Sequence, residues 1–507
     1  MADHAAQRRH RGVRRADPLR RDAPLRQEGR PLLGGIPPDL RQSVSGLFVN
    51  VELPYGETTL TARLPERTRI FANTEAVTPA PVDDLVSAVA QALADPLGLP
   101  RLGELVKPHA RVTIAFDDAT VPSYGPIRSI AIEGVLGELA AAGVARGQVS
   151  LLCANALHRK LRPAELARII GARLVAEFGE RLGCHDAEDR VGLVDLGRTP
   201  EHGYPVVVNR LVAESDLVVY VNAGHMRGFN GGWKSVCVGL STYDSIRVTH
   251  TPDGMSMSVH DNRMHAVLDE MGRHLEGRLG RRVFKIDTLG TDAVTVVKVV
   301  AGAVADARRA IVSAMEAMFP PRRAQARERF DIVVYGVPDG SPYAVFSHVN
   351  PILTLISSGL GYLGGLVEAL GKPGCTVIMA TPVPERWDRV AHPSYPEVWE
   401  RVLGTTQDPH EIMRRFADDY ARRPDYVEAY RSRFGFHPVH AIFAVYPLKR
   451  LGHIGRVIVA APRDPSVPRH LGFEVAGSVE EAVALAEKRH GAGSSIAYVK
   501  QPAPASP

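Results

Sequence analysis

Residues 216–250 read DLVVYVNAGHMRGFNGGWKSVCVGLSTYDSIRVTH. The stretch opens with the β-branched run Leu217 to Val221, the pattern of a strand buried on both faces of a parallel sheet. Polar and glycine-rich chain follows at once, with His225, Gly228, Gly231, Gly232 and Lys234, and His250 comes sixteen residues after the lysine. In an open α/β sheet, ligands sit beyond the carboxyl ends of strands, where such loops gather. Glycines let backbone N–H groups approach an anion, and a following helix N-terminus favours negative charge. A lysine and two histidines in one such loop mark it as the site.

The flanking chain repeats the rhythm of strand, loop and helix. Arg111 to Phe116 reads as a strand running into Asp117, Asp118 and Thr120, and Ile127 to Ala142 as a helix closed by Gly143. Val149 to Cys153 reads as the next strand, delivering Asn155, His158 and Arg159. Parallel neighbours would bring these polar clusters and the Lys234 loop to one sheet edge. Ahead of them, residues 45–65 predict two short strands about the Pro54–Gly56 turn. Further on, Arg282 to Leu289 and Ala293 to Val300 predict a strand pair. Strands are also expected at Phe330 to Tyr335, after Gly371 and at Arg456 to Ala461, with a final helix at Val479 to Arg489. The fold class is α/β, with two domains, each a mainly parallel sheet flanked by helices. The expected divisions are a disordered Arg-rich tail at 1–44, an N-terminal domain at 45–284 carrying the motifs, and a C-terminal domain at 285–500. A largely helical insertion is expected near 385–440, and the active cleft between the domains.

Composition narrows the function classes. The pI of 9.0 would suit a nucleic-acid binder. However, residues 1–30 hold nine arginines against four acids, and the remaining chain balances at 52 basic and 52 acidic residues. The excess charge belongs to the tail, so no nucleic-acid face is expected on the fold. The tail lacks the apolar core of a secretory signal. No uninterrupted apolar run reaches the roughly 18 residues of a membrane span. Cys153, Cys184, Cys237 and Cys375 show no metal or disulfide spacing, which fits a reducing cytoplasm.

Five runs together carry a family likeness: LPYG at 53–56, DDAT at 117–120, ANALHR at 154–159, HMRGFNGGWKS at 225–235, and the later His250. In order and spacing over roughly residues 50 to 310 they resemble the nickel-dependent lactate racemase family. The resemblance implies a racemase or epimerase of a small 2-hydroxy acid, acting by hydride transfer to a nickel-pincer nucleotide. It implies that Lys234 tethers this cofactor and that His250 ligates the nickel. His158 and His225 would then be the paired acid/bases. Asp118, Thr120, Gly228, Gly231 and Gly232 would lie around the nucleotide. Cofactor-assembly enzymes are the implied partners.

Two positions depart from the family pattern. An arginine that usually follows the threonine of the Asp-x-Thr turn is Val121 here, and no lysine stands in SPYAVFSHVNP after the strand at 330–335. Both would have met a substrate carboxylate. Arg159, Arg227 or His348 are the substitutes in reach of the motifs, with Arg159 the first choice. The insertion points the same way, to a larger or different hydroxy acid, a sugar acid among them, and the substrate itself stays open. The remaining histidines His185, His202, His260 and His265 read as structural, and Asp117 as a cap for the next segment. The rival readings are a nicotinamide-dependent hydroxy-acid dehydrogenase, which lacks its GxGxxG here, and a non-catalytic member that holds the nucleotide.

Overall fold

A six-stranded sheet takes its order from the buried runs read above. In a computed structural model it runs Val296–Ala303, Phe284–Gly290, Leu217–Asn222, Val112–Asp117, Val149–Ala154, Leu182–Cys184. The structure describes residues 48–72, 79–121, 123, 125–224, 231–254, 262–318 and 328–500. All six residues of both Val112–Asp117 and Leu217–Asn222 are buried, because helices cover the two faces of these central parallel strands. Only Val296–Ala303 is antiparallel to its neighbour.

The second sheet is built on Phe330–Pro338, Gly371–Ala380, Ile454–Ala460 and Glu474–Ala476, all parallel. Ile496–Val499 joins it beside Phe330–Pro338 and carries Arg69–Phe71 on its other edge. The expected hairpin is present as Phe48–Gly56 and Thr58–Pro65. It does not belong with the first sheet, however: Tyr55 pairs with Val337 and Gly56 with Pro338 in parallel register. Conversely, Phe284–Gly290 and Val296–Ala303 complete the first sheet, so the sheets do not divide at residue 285. A boundary drawn along the chain missed this because strand pairing ignores sequence distance. Residues 47–507 cluster as one compact unit, and the tail at 1–44 lies outside the described residues.

One segment corrects the membrane reading. Ile352–Leu370 forms a helical stretch long and apolar enough, by length and composition, to cross a membrane. Glycines and serines had broken up the run in the sequence. Ile352, Leu353, Leu355, Ile356 and Leu360 are fully buried within the protein, as in a core helix. Its first twelve residues, Ile352–Leu363, are wound with the wide π-type pitch, a rare geometry that recurs at functional sites. The stretch at 385–440 holds Pro409–Ala421 and Pro424–Ser432 as its longest helices.

Candidate active site

Three adjacent strands of the first sheet end at the same edge, and each delivers a polar group there. Beyond Val112–Asp117 the chain turns so that Asp118 Oδ1 accepts from the Thr120 amide at 3.0 Å and from its hydroxyl at 2.5 Å. Beyond Val149–Ala154, Ala156 takes a left-handed φ of 49° and His158 N donates to Asn155 O, a tight turn that presents the imidazole. His158 Nδ1 then lies 2.7 Å from Asp118 Oδ2. Burial alone would raise the Asp118 carboxyl. The His158 imidazole and the hydrogen bonds from His158 and Thr120 bring it below the usual carboxylate range. An ionised Asp118 holds the proton on Nδ1 and leaves the lone pair of His158 on Nε2.

Beyond Leu217–Asn222 comes the glycine loop. Gly231 and Gly232 sit at φ of 79° and 57°, and a Cβ on Gly232 would lie 2.7 Å from Arg308 Cδ. Only glycine suits that conformation and that space. The loop rests on a buried polar network: Lys285 Nζ donates to Gly232 O at 3.0 Å and Ser235 Oγ at 3.1 Å, and pairs with Asp287 at 3.3 Å. The helix that follows is a single turn, Lys234–Cys237, so the expected helix-dipole contribution is small. Burial drives the Lys234 amine well below the usual lysine range, against the upward pull of Asp117 and Asp118. A neutral amine at that position is a nucleophile.

His250 is pushed down to about 3, by burial first and then by the charges of Lys234 and His158. Its tautomer follows from its neighbour. The Thr249 hydroxyl donates its proton to Ile246 O at 2.7 Å, so at 2.8 Å from His250 Nδ1 it can only accept. Nδ1 therefore carries the hydrogen, and Nε2 keeps a free lone pair, the form a metal ligand requires.

Asp118, Thr120, His158, Gly231, Lys234 and His250 line one cavity of about 310 Å³. Residues spread over more than a hundred positions of the chain thus line one cavity. Val121 stands in the wall of the same cavity. Arg159 does not line it: it is buried in a two-pronged pair with Glu165 at 2.8 and 2.9 Å, which uses up its guanidinium. Asp117 caps nothing. It accepts from Tyr220 Oη at 2.9 Å and Ala223 N at 2.8 Å, tying two strand ends together, and burial raises it to about 6. His225, Arg227 and Gly228 lie outside the described residues. His185 is structural as read: its ring nitrogens meet Ser241 O and Asn209 Nδ2.

The second sheet supplies the opposite wall, which motif reading missed. Tyr343 and Tyr362 face the cavity with hydroxyls 3.1 Å apart. His440, buried at the end of the 385–440 stretch, places its ring 5.2 Å from that of His158 and 4.5 Å from that of Tyr343. Its Nδ1 meets Tyr395 Oη at 2.8 Å. The signal for it was present in the histidine-rich run FGFHPVH, but no spacing rule tied that run to the strand exits.

The cavity at these adjacent strand exits brings an amine, a carboxylate-held imidazole and a metal-competent imidazole together on an α/β fold. Residues 55–262 match the lactate racemase N-terminal domain. Over 210 residues the chain is 26% identical to a lactate racemase of Lactiplantibacillus plantarum, covering 40% of this chain and 47% of that protein. Over 207 residues it is 28% identical to a lactate racemase of Thermoanaerobacterium thermosaccharolyticum, with the same coverage. The chain thus spans about half the length of the curated relatives it matches. The lactate racemase apoprotein structure from T. thermosaccharolyticum superposes with a TM-score of 0.64 at 20% identity, over 89% of this chain and all of that one, a likeness of fold. Residues 55–262 are thus similar to the lactate racemase N-terminal domain, and the fold is like that of the T. thermosaccharolyticum apoprotein.

Proposed function

We propose that the protein is a racemase or epimerase of a 2-hydroxy acid that uses a nickel-pincer nucleotide tethered to Lys234. The observation that carries this reading is the convergence of Lys234, His250 and the Asp118–His158 pair on one cavity. The residues fit the group. A depressed lysine amine suits a covalent tether, and the Nε2 lone pair of His250 suits nickel. Among the described residues, the cluster of three protein ligand groups is Glu201, His202 and Glu270, and none of them lines this cavity. Gly231 and Gly232 would cradle the nucleotide beside the Asp118–Thr120 turn.

When bound, the nucleotide would accept the Cα hydrogen as hydride and return it to either face. The chain's part is proton management. His158 Nε2 takes the hydroxyl proton as the Cα–H bond breaks, and the Asp118 carboxylate steadies the imidazolium that results. The product of that proton removal and bond breaking would be a planar 2-keto acid, whose two faces are open to either configuration. By resemblance, His225 serves the other enantiomer. The two aromatic hydroxyls of Tyr343 and Tyr362 orient the substrate and help exclude water. The four free cysteines suit a reducing compartment such as the cytoplasm.

Expression beside cofactor-assembly enzymes, followed by intact-protein mass and nickel content, tests the reading. A nickel-bearing adduct that disappears in Lys234→Ala is expected. A free dinucleotide would favour a dehydrogenase. Val121 in the cavity wall favours a second reading, a carrier that holds the nucleotide but leaves hydroxy-acid configuration unchanged.

A further inference from the structure

A second cavity, of about 90 Å³, opens from the first. His158, His250, Tyr343 and Tyr362 line both, whereas Phe443, Tyr446, Lys449 and Arg450 line only the second. An aromatic passage thus leads from the reacting groups to two cations. Arg450 is 9% exposed, and Nη1 donates to Leu360 O at 2.6 Å. Its Nε is buried without a hydrogen-bond partner, and the Glu368 carboxylate stands off at 3.6 Å with its side chain 46% exposed. Lys449 Nζ donates to Pro252 O at 2.7 Å; burial and the neighbouring Arg450 push its amine below the usual lysine range, and Glu368 and Asp253 pull it back up. Burying a guanidinium with an unsatisfied N–H is costly unless an anion completes it.

We propose that the second cavity receives the far end of the substrate, a 2-hydroxy acid whose apolar chain ends in a second carboxylate held by Arg450 and Lys449. This rests on the 2-hydroxy-acid reading above and specifies its substrate class. The apolar walls at Val238, Ile246, Phe443 and Pro447 disfavour a sugar acid, most of whose hydroxyls would find no partner beyond the unbonded Tyr446 hydroxyl. The position also accounts for Val121: the selecting cations lie at the opposite end of the substrate from the Asp-x-Thr turn.

The test is calorimetric titration of the purified full chain with 2-hydroxyadipate and with 2-hydroxyhexanoate, which share the head group and carbon count and differ in the terminal carboxylate. Wild type should bind the diacid about tenfold or more tightly than the monoacid. Arg450→Met should erase that preference, and Lys449→Met should reduce it, with thermal melts confirming that both variants are folded. Equal affinity for the two acids in wild type, no binding of either, or tighter binding of gluconate overturns the proposal. So does a preference that survives in both folded variants. The adduct mass at Lys234 is read on separate samples, so failure of the substrate class and failure of the cofactor reading give different results.

Discussion

Asp118 Oδ2 accepts from His158 Nδ1 at 2.7 Å while its other oxygen accepts from Thr120, so one carboxylate sets both the tautomer and the orientation of the imidazole. Asp118→Asn offers an amide of the same shape but no negative charge. It should lower kcat for 2-hydroxy-acid racemisation by about a hundredfold or more, with a smaller change in KM. Unchanged kcat in a folded, nickel-loaded variant would remove Asp118 from the mechanism.

Tethering and turnover should separate by mutation. His158→Ala leaves Lys234 and His250 in place, so the variant should retain nickel and the mass adduct while losing turnover. His250→Ala should keep the adduct and lose nickel. A His158→Ala variant that turns over normally would refute its role as base.

The buried network under the glycine loop is predicted to be a stability element. Lys285→Met takes from buried Asp287 its ion-pair partner and leaves it the charge of Arg308 and the Asn222 amide, so the loss should be about 3 kcal/mol, the low end for a broken buried pair. A chemical denaturation curve should show this, and adding Asp287→Asn should recover part of it. A loss no larger in the single variant than in the double would show that the charge pair does not matter.

Two imidazoles outside the reaction should govern stability at mildly acid pH. Burial pushes His185 and His392 down to about 4. The unfolded chain therefore binds their protons first as pH falls below about 6.5, and stability is fully present above that value. Between about 6.5 and 4 each should cost up to about 1.4 kcal/mol per pH unit. His185→Gln should flatten that slope in urea titrations at pH 7, 6 and 5; an unaltered slope would assign the titration elsewhere.

The first sheet was legible because its strands are continuous apolar runs that end in polar clusters, and Asp118, His158, Lys234 and His250 follow from that pattern together with the family motifs. What escaped had no local signature. Arg159 follows His158 directly and looked available for a carboxylate, yet Glu165, six residues on, already holds it. His440 and Arg450 come from the far half of the chain, and only its packing against the first half brings them to the second cavity, beside His158. The hairpin at 48–65 was read correctly as a hairpin and assigned to the wrong sheet, since alternation reveals a strand but not its partner.

That hairpin also constrains the order in which the protein can be made. Tyr55 emerges from the ribosome about 280 residues before Val337, the neighbour it must lie beside. Until then the edge at Tyr55 and Gly56 lacks the partner it has in the finished sheet, so this contact is among the last that the growing chain can close.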